Sequence, residues 1–165
     1  MNNNSLNYLL QYSATGALFY VFYENSREQF VVLDSLLPPG DVRIQTKDGT
    51  VCGKCNLRQQ GSGFERIIRD SYGHGVARLM RNKENEYSLK DAEGEVTIIR
   101  NEIGFCGYCD NKKIFLAQRI TDLGELNQIY VLNGYDMTYG YELTFWESVS
   151  EVRKMWLSSF PLLYW

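Results

Sequence analysis

The residues best suited to chemistry are four cysteines, which form two Cys-x-x-Cys pairs. Cys52 and Cys55 enclose Gly-Lys, Cys106 and Cys109 enclose Gly-Tyr, and together they are all the cysteines of the chain. Two thiolates three positions apart on a tight glycine-containing turn can bind one metal ion together. Two such turns can supply the four sulfur ligands of a tetrahedral zinc site. The spacing therefore predicts one structural zinc ion bound by Cys52, Cys55, Cys106 and Cys109.

Two other interpretations of the cysteines remain open. The pair Cys106 and Cys109 has the spacing of a redox dithiol, although no strand-to-helix pattern follows it that would lower the pKa of a thiolate. The other interpretation is that all four are free buried thiols.

A cluster of basic residues is the second candidate site. Five cations fall on one predicted hairpin, and we call them the basic cluster: Arg66, Arg69, Arg78, Arg81 and Lys83. Because side chains alternate between the two faces of a strand, we expect some of the five to share a face. There they could hold a lipid headgroup, a phosphate or an acidic protein surface. A solvated surface without a ligand is the alternative.

Patterns typical of catalysis are missing from the sequence. His74 is the only histidine, and it lies in a turn without a nearby Ser or Cys nucleophile pattern. The carboxylates fall mostly at hairpin corners, where turn formation accounts for them. The segments Gly61–Gly63 and Gly73–Gly75 lack the helix and lysine that follow a phosphate-binding loop. We therefore predict a non-catalytic protein.

The elements that must position these residues are β-hairpins. Three segments each have a turn with Asp and Gly between two runs of mostly alternating apolar residues: 42–51, 64–81 and 87–100. Asp bonds its own turn backbone and Gly adopts positive φ, so this repeat predicts an antiparallel meander. Apolar segments predict the remaining strands: 17–23, 29–33, 113–118, 128–132 and 141–146. Residues 34–41, with Pro38 and Pro39, and residues 59–63 are predicted loops.

A helix is predicted only near the end of the chain. Its apolar face recurs at helical spacing through Val149, Val152, Met155, Trp156 and Phe160. Glu147, Glu151 and Arg153 are expected on its polar side, and Pro161 is expected to kink or end it. The apolar stretch 155–165 is shorter than the roughly 20 residues that span a bilayer. We therefore expect a core element that closes the fold, the alternatives being membrane insertion and an apolar partner surface.

Length, charge and composition limit the possible functions. The chain has 165 residues, which predicts one domain over 1–165 with a core large enough to fold without metal, so zinc would be a staple. Its net charge of −3 argues against general nucleic-acid binding. The sequence shows no secretion-signal pattern, and its cysteines come in pairs, so the cytoplasm or nucleus is the expected location.

The hairpin segments resemble the phospholipid scramblase family, whose domain belongs to the tubby-like β-barrels. The segment Phe64–Arg81 has an Asp and a Gly before Leu-Met-Arg, like that family's strand-turn-strand unit, and it follows a cysteine pair, as it does there. Within residues 42–165, the resemblance continues through four more segments: 87–110, 116–124, 141–145 and 152–165. It implies a closed antiparallel barrel around a central C-terminal apolar helix.

In function, the resemblance implies a non-catalytic module that acts at membrane lipids or as an adaptor. Its expected partners are anionic lipid headgroups or an acidic protein surface, without a transmembrane span. Two alternatives remain: a zinc-stabilised regulatory protein-interaction domain, and a β-tent zinc protein resembling the yippee family, in which paired Cys-x-x-Cys motifs about fifty residues apart also occur. Enclosure of the C-terminus would distinguish a barrel from a tent.

Overall fold

The computed structural model describes residues 7–14, 17–36, 39–56, 65–146 and 149–163. Within them the first six strands are β1 (Asn7–Ala14), β2 (Ala17–Glu24), β3 (Arg27–Leu36), β4 (Pro39–Thr46), β5 (Val51–Asn56) and β6 (Glu65–Arg69). The next five are β7 (Gly75–Lys83), β8 (Glu86–Asp91), β9 (Gly94–Arg100), β10 (Gly104–Cys109) and β11 (Lys112–Arg119). The chain continues with α1 (Gly124–Ile129), β12 (Asp136–Phe145) and α2 (Glu151–Leu163).

The twelve strands form one closed antiparallel barrel. Each strand pairs with the next one along the chain, and β12 pairs with β1, where Leu9 lies opposite Tyr141. A closed sheet leaves no strand edge with unpaired backbone groups. The predicted mainly β fold and closed antiparallel barrel are therefore confirmed.

The turns of the predicted hairpins form for the expected reason. Asp70 accepts hydrogen bonds from the backbone N–H groups of Tyr72 and His74, both at 2.9 Å, and Asp91 accepts one from Glu93 at 2.9 Å. Gly73, three residues after Asp70, has a φ of +87°, a backbone conformation that few other residues adopt without strain. The three repeated segments correspond to the hairpins β4–β5, β6–β7 and β8–β9.

Two predictions about other segments were wrong, and α1 contradicts the prediction of a helix only near the end of the chain. Residues 128–132 do not form a strand. The helix α1 ends at Ile129, and the side chains of Tyr130 and Leu132 then pack on the outside of the barrel. The predicted loop over 34–41 is mostly strand, since β3 continues to Leu36 and β4 begins at Pro39. The predicted loop over 59–63 lies outside the described residues.

A second apolar cluster lies on the outer surface of the barrel. Tyr12, Val21 and Tyr23 point away from the barrel interior and pack with Tyr130, which follows α1. The Tyr12 hydroxyl donates a hydrogen bond to the Tyr130 carbonyl oxygen at 2.6 Å. Burial raises the pKa of Tyr12 further above its ordinary value, which favours the neutral hydroxyl that donates this bond. The connection between β11 and β12 thus covers an outer face that would otherwise expose aromatic rings.

The helix α2 fills the barrel interior. Trp156, Leu157 and Phe160 are at most 4% exposed and belong to the inner core. The Phe160 ring centroid lies 5.1 Å from that of Tyr87 on β8 and 5.0 Å from that of Phe105 on β10. The predicted C-terminal core helix is therefore confirmed.

Details of the helix differ from the prediction. Pro161 does not end α2, which continues to Leu163. Val152, expected on the apolar face, is 54% exposed, whereas Arg153, expected on the polar side, is only 5% exposed. The predicted helical phase was therefore wrong at its first turn, where the helix enters the barrel.

Candidate functional site

The two cysteine pairs lie within strands and not on turns, which corrects the predicted placement. Cys52 and Cys55 belong to β5, and Cys106 and Cys109 belong to β10. At least four strands lie between β5 and β10 in either direction around the barrel. The two pairs are therefore not on neighbouring hairpins, as the zinc prediction requires.

Strand geometry also separates the two members of each pair. Residues three positions apart in a regular strand face opposite sides of the sheet. Cys55 is 4% exposed and belongs to the inner core, whereas Cys52 alternates with inward-facing Gly53 and lies closer to the surface. On β10, Cys109 packs against the inner core, while Cys106 neighbours Phe105, whose ring faces that core. Across the part of the chain that the structure describes, no three His, Cys, Asp or Glu side chains converge on a possible metal position.

The glycines within the two pairs have a packing role. A Cβ atom on Gly53 would lie 2.7 Å from Ile68 Cγ2 and 3.0 Å from the Trp156 ring. A Cβ atom on Gly107 would lie 3.1 Å from the Cβ of Phe115. Both positions face the barrel interior, so glycine there makes room for neighbouring core side chains.

The zinc site remains a prediction from the sequence, and elemental analysis of the purified protein tests it. Four thiolates on one ion require about one zinc per chain. Four reduced cysteines that can all be titrated, with no metal bound, would contradict the prediction.

The structure gives little support to the redox interpretation. All four cysteines are free thiols, and β10 leads into β11 and not into a helix.

The basic cluster does lie on one hairpin, but its members do not share one face. Arg66 lies two positions before Ile68 and Arg81 two positions after Leu79, and both Ile68 and Leu79 are core residues. Residues two positions apart in a strand share a face, so both arginines lie on the inner face of the sheet. Arg66 is 6% exposed, and this burial lowers the pKa of its guanidinium. The other three members are exposed: Arg69, Arg78 and Lys83. The expectation of a shared face therefore applies only to part of the cluster.

The tip of the β6–β7 hairpin presents an exposed aromatic residue beside a cation. Tyr72 is 85% exposed, and its ring centroid lies 6.4 Å from that of His74. The Arg69 guanidinium donates a hydrogen bond to the Gly73 carbonyl oxygen at 3.2 Å, which holds it beside the turn. The Arg78 Nε lies 3.5 Å from a Glu65 carboxylate oxygen. We call Arg69, Tyr72 and His74 the hairpin tip.

Sequence reasoning missed a buried ion pair where α2 enters the barrel. Arg153 donates hydrogen bonds of 3.0 and 2.8 Å to the two carboxylate oxygens of Asp91, and both side chains are at most 6% exposed. Burial disfavours the charged guanidinium, but the hydrogen bonds and charge of Asp91 outweigh this effect and raise the pKa of Arg153. The available signal was the helical spacing of Arg153 with Leu157 and Phe160.

Comparisons with protein-family models, with curated proteins and with solved structures found no match. Among the helices that the structure describes, none has both the length and the apolar character needed to cross a bilayer. The case for function therefore depends on the geometry of this chain.

Proposed function

We propose that this protein is a non-catalytic, scramblase-like module of the tubby-like barrel class that engages anionic lipid headgroups at the periphery of membranes. The expected location is the cytoplasm or nucleus. The observation that carries the proposal is the enclosed helix α2, with Trp156 and Phe160 buried inside a closed twelve-stranded barrel. This is the architecture that the resemblance to scramblases implies. An enclosed C-terminal helix also supports a barrel over the yippee-like β-tent.

The hairpin tip is the surface best suited to a lipid bilayer. An exposed aromatic ring prefers the interface between headgroups and acyl chains, and a neighbouring cation is attracted to anionic headgroups. Tyr72 and Arg69 supply these two groups at the end of one hairpin. Arg78 lies further along the same hairpin, while Lys83 lies at the opposite end of β7. The proposed contact is therefore the tip and not the whole basic cluster.

Sedimentation with vesicles tests the proposed contact. We expect binding to vesicles that contain phosphatidylserine and weaker binding to pure phosphatidylcholine, with a loss of binding as salt increases. Arg69→Gln should weaken binding about fivefold, since a cation near an anionic surface contributes about 1 kcal/mol. Tyr72→Ser should weaken binding to both kinds of vesicle.

Lys83→Gln is the matched control, because it removes the same charge from the same hairpin at its far end. It should bind vesicles like the unmodified protein. Equal binding by Arg69→Gln and by the unmodified protein, or binding that high salt leaves unchanged, would contradict the proposal.

A protein-interaction domain is the second candidate, and one surface favours it. Ile129 and Val131 are 64% and 58% exposed, beside a cavity of about 590 Å³ between α1 and the β2–β3 turn. Two cations, Arg27 and Lys47, and one carboxylate, Glu28, also line this cavity, so a segment with apolar side chains and a net negative charge would complement it.

A further inference from the structure

A cleft opens between the β6–β7 hairpin and the β8–β9 turn, where α2 enters the barrel. Strands β7 and β8 pair as far as Ala77 and Asp91. Beyond these residues β8 enters its turn, whereas β7 continues to Gly75 beside β6 before its own turn. The gap between the two turns forms a cavity of about 610 Å³, with Val152 and Trp156 of α2 among its lining residues. This volume is within the range of about 300–1,000 Å³ that is typical of small-molecule sites.

The inner part of the cleft is apolar. Val76 and Ala77 of β7 line it together with the half-exposed side chain of Val152 and the buried side chain of Trp156. These side chains offer contacts to an apolar chain or ring but no hydrogen-bond acceptor.

Two cations stand side by side at the outer rim of the cleft. Arg78 and Lys90 are register partners on β7 and β8, so they lie directly opposite each other on the outer face of the sheet. Like charges in this position destabilise a sheet, and an anion bound between them would offset the repulsion. Glu95 on β9 is the other register partner of Lys90, but Lys90 forms no ion pair within 4 Å with it or with any other residue that the structure describes, and Arg78 has only Glu65 at 3.5 Å.

The carboxylates of the cleft already have partners. Asp91 accepts two hydrogen bonds from the Arg153 guanidinium, whose positive charge offsets its repulsion of an anion at the rim. Glu93 accepts a hydrogen bond from the Ser150 hydroxyl at 2.5 Å and keeps its negative charge, so Glu93 opposes an anion while the two exposed cations attract it.

We propose that this cleft binds an amphipathic anion, a single apolar chain or ring that carries one carboxylate or phosphate group. The apolar part lies against Trp156 and Val152, and the anionic group lies between Arg78 and Lys90. The site is separate from the hairpin tip and does not depend on the proposed membrane contact.

Calorimetric titration with decanoate, below the concentration at which it forms micelles, tests the proposal. We expect saturable binding that is at least about tenfold tighter than that of decyltrimethylammonium, which has the same chain length and the opposite charge. Amide chemical shifts of Val76, Ala77 and Ala92 should move during the titration, which locates the ligand in the cleft. Vesicles of phosphatidylglycerol form a second arm. Shifts at these amides with vesicles alone identify a bilayer lipid as the source, and shifts with decanoate identify a free amphiphile.

Variants of exposed residues separate the contributions of charge and shape. Removing both rim cations, with Arg78→Gln and Lys90→Gln, should weaken decanoate binding about tenfold or more. Ala92→Trp should block the cleft from its exposed turn. Lys112→Gln removes the same type of charge from a different hairpin and should leave binding unchanged, as should Tyr72→Ser at the hairpin tip. Undiminished affinity in the double variant, shifts confined to other amides, or no binding in either arm would overturn the proposal.

Discussion

A chain that ends before Met155 is expected to be unfolded or insoluble, even where no membrane is present. Truncation removes Trp156, Leu157 and Phe160, which occupy the centre of the barrel. Each such side chain contributes roughly 1.5–3 kcal/mol on burial, against a total stability of about 5–15 kcal/mol for a typical domain. The strands would also lose the apolar surface on which they close. Circular dichroism and thermal melting of the truncated chain measure the effect.

Single substitutions in α2 test its core role by smaller changes than truncation. Phe160→Ala should lower the free energy of unfolding by about 3–5 kcal/mol, because Tyr87 and Phe105 would then face a cavity. Val152→Ala, on the exposed side of the same helix, should change it by less than about 0.5 kcal/mol. If the truncated chain stays soluble and melts cooperatively near the temperature of the full chain, the core role of α2 is wrong.

Replacing Asp91 with alanine should destabilise the protein by about 3–5 kcal/mol, because Arg153 would be left as a buried charge without its carboxylate partner. Asp91 also caps the β8–β9 turn through the backbone N–H of Glu93, so the turn would lose a hydrogen bond as well. Denaturant unfolding followed by fluorescence measures the loss.

A second pair of variants shows whether the buried charge causes this loss. Combining Asp91→Leu with Arg153→Met removes both charges and should recover part of the stability, since apolar residues often replace a buried ion pair without a penalty. Glu86→Ala breaks the exposed pair with Lys83 at 3.9 Å and should cost less than about 1 kcal/mol. Asp91→Ala and Glu86→Ala with similar small effects would contradict the role proposed for the ion pair.

The hairpins could be predicted from the sequence because their turns form through local hydrogen bonds. The aspartates at positions 48, 70 and 91 and their nearby glycines form turns through contacts within a few residues, so their effect can be deduced without the rest of the fold. The core helix near the C-terminus was predictable for a similar reason, because Trp156 and Phe160 recur at helical spacing.

Only the tertiary structure decided which faces these elements bury. The same Cys-x-x-Cys spacing brings two thiols together on a turn but sends them to opposite faces in a strand, and pairing with β4 and β9 keeps both motifs in strands. Tyr130 pairs with no strand because β1 and β2 offer it an outer apolar surface. Arg153 is buried because Asp91, 62 positions earlier in the chain, lies where the helix enters the barrel. For Tyr130 and Arg153 the deciding partner is distant in sequence, and periodicity along one segment carries no information about a distant partner.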